Sequence, residues 1–340
     1  MKILFVILTL VLSLTLAAQK VDFTIHNILL PPEISYYDNQ FSGLYIKSNN
    51  LFLMSESRLQ DSAEAKLYSI KLSDIEKQLA DSNYVLPYKK WRIYNLNILR
   101  GKMKDNGDDY EGLEAMIIDK NKIYFSVETA TPSNNCYLLK GIINDTAIVL
   151  DTNEFFVMQK PITSDGKHIY NAGFEAIAPI NNNTAAFFEF NYFTDYNSVN
   201  FISEWSFQSG KSHFFNMAQL PFRITDITKT KGNNFVAINY FYKGEGGDEV
   251  YRLPDENDKN NRFIKDSSGF KDYCRLVKIK YQNHTFSWES FWEFPKKFWS
   301  YNWEGITAYK KGYFVVNDKY TSARPYKSVL IYLRLRNRIN

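Results

Sequence analysis

The stretch FEAIAPINNNTAAFFEF, Phe174 to Phe190, decides the fold because its pattern occurs four more times along the chain. It contains two apolar runs joined by Asn181-Asn182-Asn183, with Glu175 near its start and Glu189 near its end. Two apolar runs around a turn-forming triplet are typical of a β-hairpin. A half-buried hairpin with a carboxylate at each end needs a chemical reason for those charges.

Four further segments align with this stretch without gaps: FSGLYIKSNNLFLMSES from Phe41, LEAMIIDKNKIYFSVET from Leu113, ITDITKTKGNNFVAINY from Ile224 and WEGITAYKKGYFVVNDK from Trp303. Each copy has a polar residue near its start, here called the ring residue, and a polar hairpin-end residue 14 positions later. The pairs are Ser42 and Glu56, Glu114 and Glu128, Glu175 and Glu189, Thr225 and Asn239, and Glu304 and Asp318. A constant spacing indicates hairpins with equal arms and predicts that the members of each pair are cross-strand neighbours.

Two further strand-like segments follow each of the first four hairpins. They are AKLYSIKL and WRIYNLNI, CYLLKGII and AIVLDTNEFFVM, VNFISEWSF and KSHFFNMAQ, and YCRLVKIKY and TFSWESFWEF. One such segment, KSVLIYLRL, follows the fifth hairpin, and KVDFTIHNIL, Lys20 to Leu29, can supply its missing partner. The pattern predicts an all-β fold, a five-bladed β-propeller forming a single domain over residues 19–340, with the last blade closed by the N-terminal strand.

Two segments interrupt the strand pattern. Leu72 to Ser82 contains Ser73 followed by Glu76, the spacing of a capping box, and predicts a short helix in the first blade. Lys243 to Asp272 is charged and rich in Gly, which predicts a long loop in the fourth blade.

The N-terminus, MKILFVILTLVLSLTLAAQ, has one Lys, an apolar run and two small residues, Ala17 and Ala18. This layout predicts a cleavable signal peptide over residues 1–18, with cleavage near Ala18 and a secreted or periplasmic mature chain. The run is short for a membrane anchor, so we expect no stable membrane insertion. In an exported protein Cys136 and Cys274 either form a disulfide or remain two buried thiols.

Charge and motif content exclude several function classes. The 41 basic and 37 acidic residues give a net charge of +4 without a basic stripe, so a nucleic-acid partner is not expected. The sequence contains no H-E-x-x-H, G-x-S-x-G or G-x-x-x-x-G-K-[ST] motif, so the common hydrolase and nucleotide-binding signatures are absent.

In a propeller the first strand of each blade lines the central axis, which would place the five ring residues at one mouth of the channel. They are Ser42, Glu114, Glu175, Thr225 and Glu304. Three carboxylates facing one another would repel unless a cation binds them. Carboxylate and hydroxyl oxygens are ligands of hard cations, and Ca²⁺ tolerates an irregular ring better than Mg²⁺ does. The ring therefore predicts a central calcium ion as cofactor, and the alternative is a water-filled polar channel.

The five hairpin starts, Ser-Gly-Leu, Glu-Ala-Met, Glu-Ala-Ile, Thr-Asp-Ile and Glu-Gly-Ile, resemble the inner hairpins of the soluble calcium-activated nucleotidases (apyrases). They are also similar to the phytase-like esterase and SdiA-regulated propeller families. The resemblance to apyrases implies a central Ca²⁺ near the ring residues, with a nucleoside diphosphate bound at the same mouth. Glu56 and Arg58, in the run SESR, stand about where that family has its acids and Arg, and the basic insert of that family is not recognisable.

Strand direction also predicts which loops share the face of the ring. They contain Arg58, Lys319, Arg324, His168 and the run Asp108 to Glu111. We expect Glu56 and Arg58 to be catalytic, and Lys319, Arg324, Glu128, Glu189 and Asp318 to bind substrate. Carboxylates with a divalent cation and basic side chains fit a calcium-dependent phosphohydrolase or esterase acting on a small anionic substrate. The alternatives are a non-catalytic ligand- or protein-binding propeller with a structural calcium ion, and a surface scaffold.

Overall fold

The computed structural model describes residues 21–58, 64–163, 166–192, 198–244, 258–318 and 327–336. The predicted signal peptide, Lys319 and Arg324 lie outside the described residues. Among the described residues, no helix has the length and apolar character needed to cross a membrane.

The chain is all-β, with a few short helices between strands. The N-terminal elements are β1 (Phe23–Ile28) and α1 (Pro32–Ser35). Unit 1 comprises β2 (Phe41–Lys47), β3 (Asn50–Ser55), β4 (Lys66–Lys71), α2 (Leu72–Ala80) and β5 (Lys89–Tyr94), and α3 (Leu96–Asp105) follows it. Unit 2 comprises β6 (Tyr110–Asp119), β7 (Lys122–Thr129), β8 (Asn135–Ile143) and β9 (Ala147–Gln159).

The remaining elements repeat this order. Unit 3 comprises β10 (Ala176–Ile180), β11 (Asn183–Phe187), β12 (Ser198–Ile202), α4 (Glu204–Ser209) and β13 (His213–Met217). Unit 4 comprises β14 (Arg223–Lys229), β15 (Asn234–Phe241), α5 (Asn261–Ile264), β16 (Lys265–Asp266), β17 (Gly269–Phe270), β18 (Tyr273–Gln282) and β19 (Thr285–Glu293). Unit 5 comprises β20 (Trp303–Tyr309), β21 (Gly312–Asn317) and β22 (Leu330–Leu335).

The five predicted hairpins are present as β2–β3, β6–β7, β10–β11, β14–β15 and β20–β21. Strand β1 pairs antiparallel with β22, from Phe23 opposite Leu335 to Ile28 opposite Leu330. The N-terminal strand therefore completes the sheet of unit 5 in the order β1-β22-β21-β20, as predicted.

The sheets differ from five separate four-stranded sheets. Units 1 and 2 share one eight-stranded sheet, and units 3 and 4 share another. The links are short parallel pairings of outer strands, β5 with β9 and β13 with β19. An outer edge strand presents unpaired backbone groups, and this pairing satisfies some of them. The first strands β2, β6, β10, β14 and β20 each contact the next, and β20 contacts β2, so their contacts close into a ring.

The core consists of five main apolar clusters, each shared by two neighbouring units. Phe52 and Phe125 belong to the cluster between units 1 and 2, for example, and Leu44 and Phe314 to the cluster between units 5 and 1. The other three clusters join units 2 and 3, 3 and 4, and 4 and 5. Because strand side chains alternate between the two faces of a sheet, each unit buries both of its faces against the neighbouring units.

The helices depart from the sequence prediction at α2, α3, α4 and α5. The segment predicted as a long loop, Lys243 to Asp272, contains α5 and the short strands β16 and β17 among its described residues. Helix α2 forms where predicted but begins at Leu72, one residue before Ser73, and no side chain caps it, so the predicted capping box is wrong. Glu76 instead accepts hydrogen bonds from Tyr309 and Lys310 of unit 5. The segments WRIYNLNI and VNFISEWSF each change from strand to helix, at α3 and α4, and Ser203 and Ser206 form a capping box on α4.

Cys136 lies in β8 and Cys274 in β18, and both are free, buried thiols. The two strands belong to different units, so the disulfide alternative does not occur. Burial raises the pKa of Cys136 to about 12, which makes this thiol a poor nucleophile.

Candidate metal centre

Four of the five ring residues occupy β-bulges. Phe41 pairs with Ser55 and Gly43 with Met54, so Ser42 has no partner on β3. The same shift skips Glu114, Thr225 and Glu304. A bulge turns a side chain away from the regular alternation of the strand. Glu175 lies directly before β10.

The bulges alter the predicted pairing of ring and hairpin-end residues, which are not direct cross-strand partners. In units 1, 2, 3 and 5 the hairpin-end residue lies against the residue two positions before the ring residue, here called the leading residue. In unit 4 Asn239 pairs instead with Ile224, directly before Thr225. The Glu56 N–H donates to the Gln40 carbonyl at 2.8 Å, and the Glu189 N–H to the Gly173 carbonyl at 2.9 Å. The extra bulge residue accounts for the offset, because it shifts the register of the two strands.

A cavity of about 100 Å³ lies where these strand ends meet. Its lining residues are Gln40, Phe41, Ser42, Glu56, Arg58, Glu114, Glu128, Asn171, Glu175, Arg223, Asn302, Glu304 and Asp318. The structure thus brings together four of the five ring residues and four of the predicted catalytic or substrate-binding residues. Thr225 and Glu189 are fully buried next to the lining, and neither Asp108 nor His168 is part of it.

The two hydroxyl ring residues connect neighbouring first strands. Ser42 Oγ donates to the Leu113 carbonyl at 2.5 Å, and Thr225 Oγ1 donates to the Trp303 carbonyl at 2.7 Å. Both acceptors directly precede a ring glutamate of the next unit. The hydroxyl hydrogens therefore hold strands together, and only their oxygen lone pairs remain for a ligand.

The carboxylates of this cavity are buried with incomplete hydrogen bonding. Glu114 Oε1, Glu128 Oε1 and Glu175 Oε2 accept no hydrogen bond from the described residues. A buried carboxylate oxygen without a donor is costly unless a proton or a cation is bound.

The pKa values of the cavity carboxylates reflect the same cost of burying a negative charge. Burial, reinforced by neighbouring carboxylates, raises the pKa of Glu128 and Glu304 to about 8. Burial also raises the pKa of Glu56 to about 7, against the opposing effect of Arg58. For Glu114 and Glu175, burial and the nearby glutamates raise the pKa well above its ordinary value.

Two guanidinium groups line the cavity among six carboxylates. Arg58 Nε donates to Glu56 Oε1 at 2.7 Å, and its half-buried side chain reaches within 4.0 Å of Glu111. Arg223 donates to Glu304 and to Asn302 Oδ1, and its Nη1 lies 3.8 Å from Glu189 Oε2. Burial alone would lower the pKa of Arg223, but Glu304, Glu175 and Glu189 raise it.

Sequence reasoning missed Arg223 because the repeat comparison did not include the leading residues. These are Gln40, Gly112, Gly173, Arg223 and Asn302. At Gly112 an added Cβ would lie 2.5 Å from Glu56 Cγ, and at Gly173 it would lie 3.1 Å from Glu128 Cγ. Glycine therefore leaves room for the carboxylate of the preceding unit, whereas Arg223 fills the corresponding space with a positive charge.

Asp226 is a second buried ionisable residue that sequence reasoning did not assign. Its side chain accepts the N–H of Ile227 at 2.8 Å and the N–H of Ile306 at 2.7 Å, and the N–H of Leu44 also bonds to it. Burial raises the pKa of Asp226 despite these bonds. Asp226 therefore ties units 4, 5 and 1 together near the ring. The sequence signal was an acid at a position where the other four units have Gly or Ala.

Two residues predicted to share the ligand face have structural partners instead. His168 contacts the Pro161 carbonyl and Asn134 Oδ1, at 3.1 and 2.9 Å. Asp108 accepts hydrogen bonds from Asn135 and from the hydroxyl of Tyr137. The contacts of these two side chains therefore give no reason to assign them a role at the cavity.

The cavity residues offer the type of ligand atom that a hard cation prefers, but they do not form a preorganised coordination cage. Within the described part of the chain, no three carboxylate, imidazole or thiolate groups converge closely enough to form a metal centre. The candidate ligand atoms are nevertheless all oxygen, as Ca²⁺ requires, and three of these oxygens accept no hydrogen bond from the described residues. Glu114, Glu128 and Glu175 carry these three oxygens.

No protein-family model matches the sequence, and no curated protein matches it. Among solved structures, the Malassezia sympodialis allergen Mala s 1 has a TM-score of 0.48 and 11% identity, covering 92% of this chain and 83% of the allergen. A GH43 beta-xylosidase/alpha-arabinofuranosidase from a compost metagenome has a TM-score of 0.45 and 6% identity, covering 91% and 95%. A putative glucose dehydrogenase from Thermus thermophilus has a TM-score of 0.44 and 10% identity, covering 92% and 99%. Similarities this weak carry no argument about the chemistry of this chain.

Proposed function

We propose that this chain is a five-bladed β-propeller, a single domain over residues 19–340, that binds Ca²⁺ in its central cavity. The blade count is supported by the five hairpins, by the ring of contacts among their first strands and by the five apolar clusters between neighbouring units. The eight-stranded sheets are compatible with this count because their two halves join only through short parallel pairings of outer strands.

One observation carries the cation. Six carboxylates and two guanidinium groups line a cavity of about 100 Å³, and three buried carboxylate oxygens there have no hydrogen-bond donor among the described residues. A divalent cation would neutralise the excess negative charge and coordinate those oxygens. Oxygen ligands without His or Cys favour Ca²⁺ or Mg²⁺, and the irregular arrangement favours Ca²⁺.

The activity we propose is calcium-dependent hydrolysis of a small phosphoester, including a nucleoside diphosphate. A bound Ca²⁺ supplies charge stabilisation for the phosphoryl oxygens. Glu56, with its pKa raised to about 7, is suited to take a proton from water near neutral pH. Arg58 lies half-exposed at the edge of the cavity, where its guanidinium group can bind a phosphoryl oxygen.

Cavity size limits how such a substrate could bind. Ligand pockets usually enclose about 300–1,000 Å³, and the central cavity encloses about 100 Å³. Only the phosphoryl group would enter, between Glu128, Asp318 and Arg58, and the rest of the substrate would stay outside. Glu189, behind the lining, would act through Arg223, and Lys319 and Arg324 remain predicted substrate-binding residues.

The small cavity and the Arg58–Glu56 hydrogen bond favour a second candidate function, a non-catalytic binding propeller whose calcium is structural. Because Arg58 already neutralises Glu56, its charge is only partly available to a substrate. For either function we also propose secretion or export to the periplasm, on the basis of residues 1–18.

Calcium titration combined with a substrate panel tests these proposals. Calcium should raise the melting temperature of chelator-treated protein, and Glu175→Gln should remove most of that rise. Phosphoester turnover should require calcium and should fall about tenfold or more in Glu56→Gln and Arg58→Ala. Turnover that survives both substitutions would reject the catalytic assignment, calcium binding without turnover would favour the binding propeller, and a parent protein that ignores calcium would reject both.

A further inference from the structure

The leading residues divide the central cavity into two unlike sides. On the side of units 2 and 3, Gly112 and Gly173 carry no side chain, and the carboxyl-bearing chains of Glu56 and Glu128 pack directly over them. On the side of units 4 and 5, the leading residue of unit 4 is Arg223, whose side chain enters the cavity. One repeat position thus creates space for carboxylates on one side and supplies a positive charge on the other.

Arg223 already neutralises the carboxylates that it faces. Its Nη2 donates to Glu304 Oε1 and to Asn302 Oδ1, and its Nη1 lies 3.8 Å from Glu189 Oε2. The side chain is nine-tenths buried, so water screens these charges little. A cation placed next to Glu304 would therefore also lie next to a fixed guanidinium group and be repelled by it.

Compensation on the other side is incomplete, although the charge of Arg223 also reaches Glu175. Glu114, Glu128 and Glu175 are each more than nine-tenths buried, and each has a carboxylate oxygen without a hydrogen-bond donor among the described residues. The guanidinium group on that side, Arg58, is bonded to Glu56. The carboxylates that most need a further positive counter-charge are therefore Glu114, Glu128 and Glu175.

We propose that Arg223 is a specificity-determining residue, a built-in counter-cation that confines the bound ion to Glu114, Glu128 and Glu175 and limits the cavity to one divalent ion. This inference rests on the proposed calcium binding and goes beyond it, because the sequence predicted a symmetric ring in which Glu304 contributes as much as Glu175. Arg223 needs no contact with the ion, since its charge acts on the ion through the shared cavity.

Isothermal calorimetry of the chelator-treated full chain with CaCl₂ tests the asymmetry. Glu114→Gln, Glu128→Gln and Glu175→Gln should each weaken Ca²⁺ binding about tenfold or more, whereas Glu304→Gln should weaken it about threefold or less. This comparison does not depend on any Arg223 variant folding. Equal losses for Glu175→Gln and Glu304→Gln would overturn the inference.

Replacing Arg223 gives the complementary test. Arg223→Gln should tighten Ca²⁺ binding about tenfold or more, or admit a second ion, because Glu304 and Glu189 lose their counter-charge. Arg223→Lys, which keeps the charge, should bind like the parent. Arg275→Gln removes another buried guanidinium group that does not line the cavity, and should not change the affinity.

The outcomes separate the inference from the proposed function. If the parent binds one Ca²⁺ and Arg223→Gln binds no more tightly and no second ion, the inference is wrong while calcium binding stands. If the parent binds no Ca²⁺, the proposed function fails and the inference fails with it.

Discussion

Gly112 and Arg223 occupy the same position of the repeat and have opposite effects on the central cavity. Gly112 leaves space that the side chain of Glu56 fills, so a buried carboxylate is placed close to Glu114. Arg223 fills its own space and bonds to Glu304. The backbone follows a nearly five-fold repeat, but its charge does not, because one side chain per repeat decides whether acids are accumulated or neutralised. Substitutions on the side of Gly112 and on the side of Arg223 should therefore have different kinds of effect on stability and calcium binding.

The largest effect is expected for Arg223→Met. In calcium-free buffer at pH 9, above the pKa of about 8 that Glu304 has in the folded chain, this change leaves Glu304 and Glu189 buried without their counter-charge. Removing one partner of a buried pair costs about 3–5 kcal/mol of unfolding free energy. Urea unfolding of parent and variant measures the loss. At pH 5 the loss should shrink, because the pKa of Glu304 is raised to about 8 and its neutral form needs no partner.

Arg275→Met is the matched control for that experiment. Arg275 is also buried and donates to Asn239 Oδ1, but it has no carboxylate partner among the residues lining the cavity. Its substitution should cost stability by a similar amount at pH 5 and pH 9. A pH-dependent loss in Arg275→Met, or a pH-independent loss in Arg223→Met, would contradict the assigned role of Arg223.

A smaller effect on the stability of the parent protein is expected when only the pH is changed, and calcium should counteract it. The pKa of Glu56 is raised to about 7 and that of Glu128 to about 8 in the folded chain, above the ordinary value of 4.5 in the unfolded chain. Between pH 4.5 and about pH 8 the folded state therefore binds more protons than the unfolded state. The contribution of Glu56 and Glu128 to calcium-free stability should be greatest below pH 4.5 and should fall as the pH rises to about 8. Calcium should reverse the fall, because it replaces the protons.

Urea unfolding at pH 5.5 and pH 8.5, with chelator and with calcium, measures this dependence. Glu128→Gln should flatten the calcium-free profile, since an amide does not titrate. Calcium-free stability that rises from pH 5.5 to 8.5 would show that the cavity carboxylates are better solvated than their burial indicates.

Gly112→Ala tests the crowded side of the cavity. An added Cβ would meet Glu56 Cγ at 2.5 Å and Glu114 Oε1 at 2.8 Å, so both side chains must move. Overpacking of this kind costs about 1–3 kcal/mol. The measurement is the unfolding free energy in calcium-free buffer, together with the calcium affinity, which should fall as the carboxylates are displaced.

Gly101→Ala is the control for Gly112→Ala. Gly101 lies in helix α3 with open space around its missing Cβ. Alanine should therefore stabilise the helix by about 0.5–1 kcal/mol, because glycine is a poor helix former. If Gly112→Ala stabilises the protein as Gly101→Ala does, the packing of Glu56 over Gly112 leaves room for a side chain, and the prediction is wrong.

The sequence predicted the parts of this molecule that local patterns determine. Apolar alternation and turn residues define each hairpin, and the repeat of Glu175 and its counterparts identified the polar end of the first strands. The bulges, the parallel pairing of β5 with β9 and the helix α3 were missed, because they depend on how neighbouring units pack. Arg223 could have been found by aligning the leading residues, where it stands in line with two glycines, but its partners Glu304 and Glu189 come from two other units.

The smallest effect is expected at the hydroxyl ring residues, and it separates two roles that the sequence could not distinguish. Ser42 and Thr225 were predicted as metal ligands, yet their hydroxyl groups donate to the carbonyls of Leu113 and Trp303. If the hydroxyls mainly connect strands, Ser42→Ala and Thr225→Val should each cost about 0.5–1.5 kcal/mol of unfolding free energy, the usual net value of such a hydrogen bond. Calcium affinity should then change less than about threefold in either variant, because the carboxylates dominate the binding of a hard cation. Thr225→Val should be the more neutral of the two for calcium, since Thr225 lies on the side of Arg223 and outside the cavity lining, whereas Ser42 lines the cavity. A tenfold loss of affinity in Thr225→Val would restore the symmetric five-membered ring and remove the distinction between the two sides.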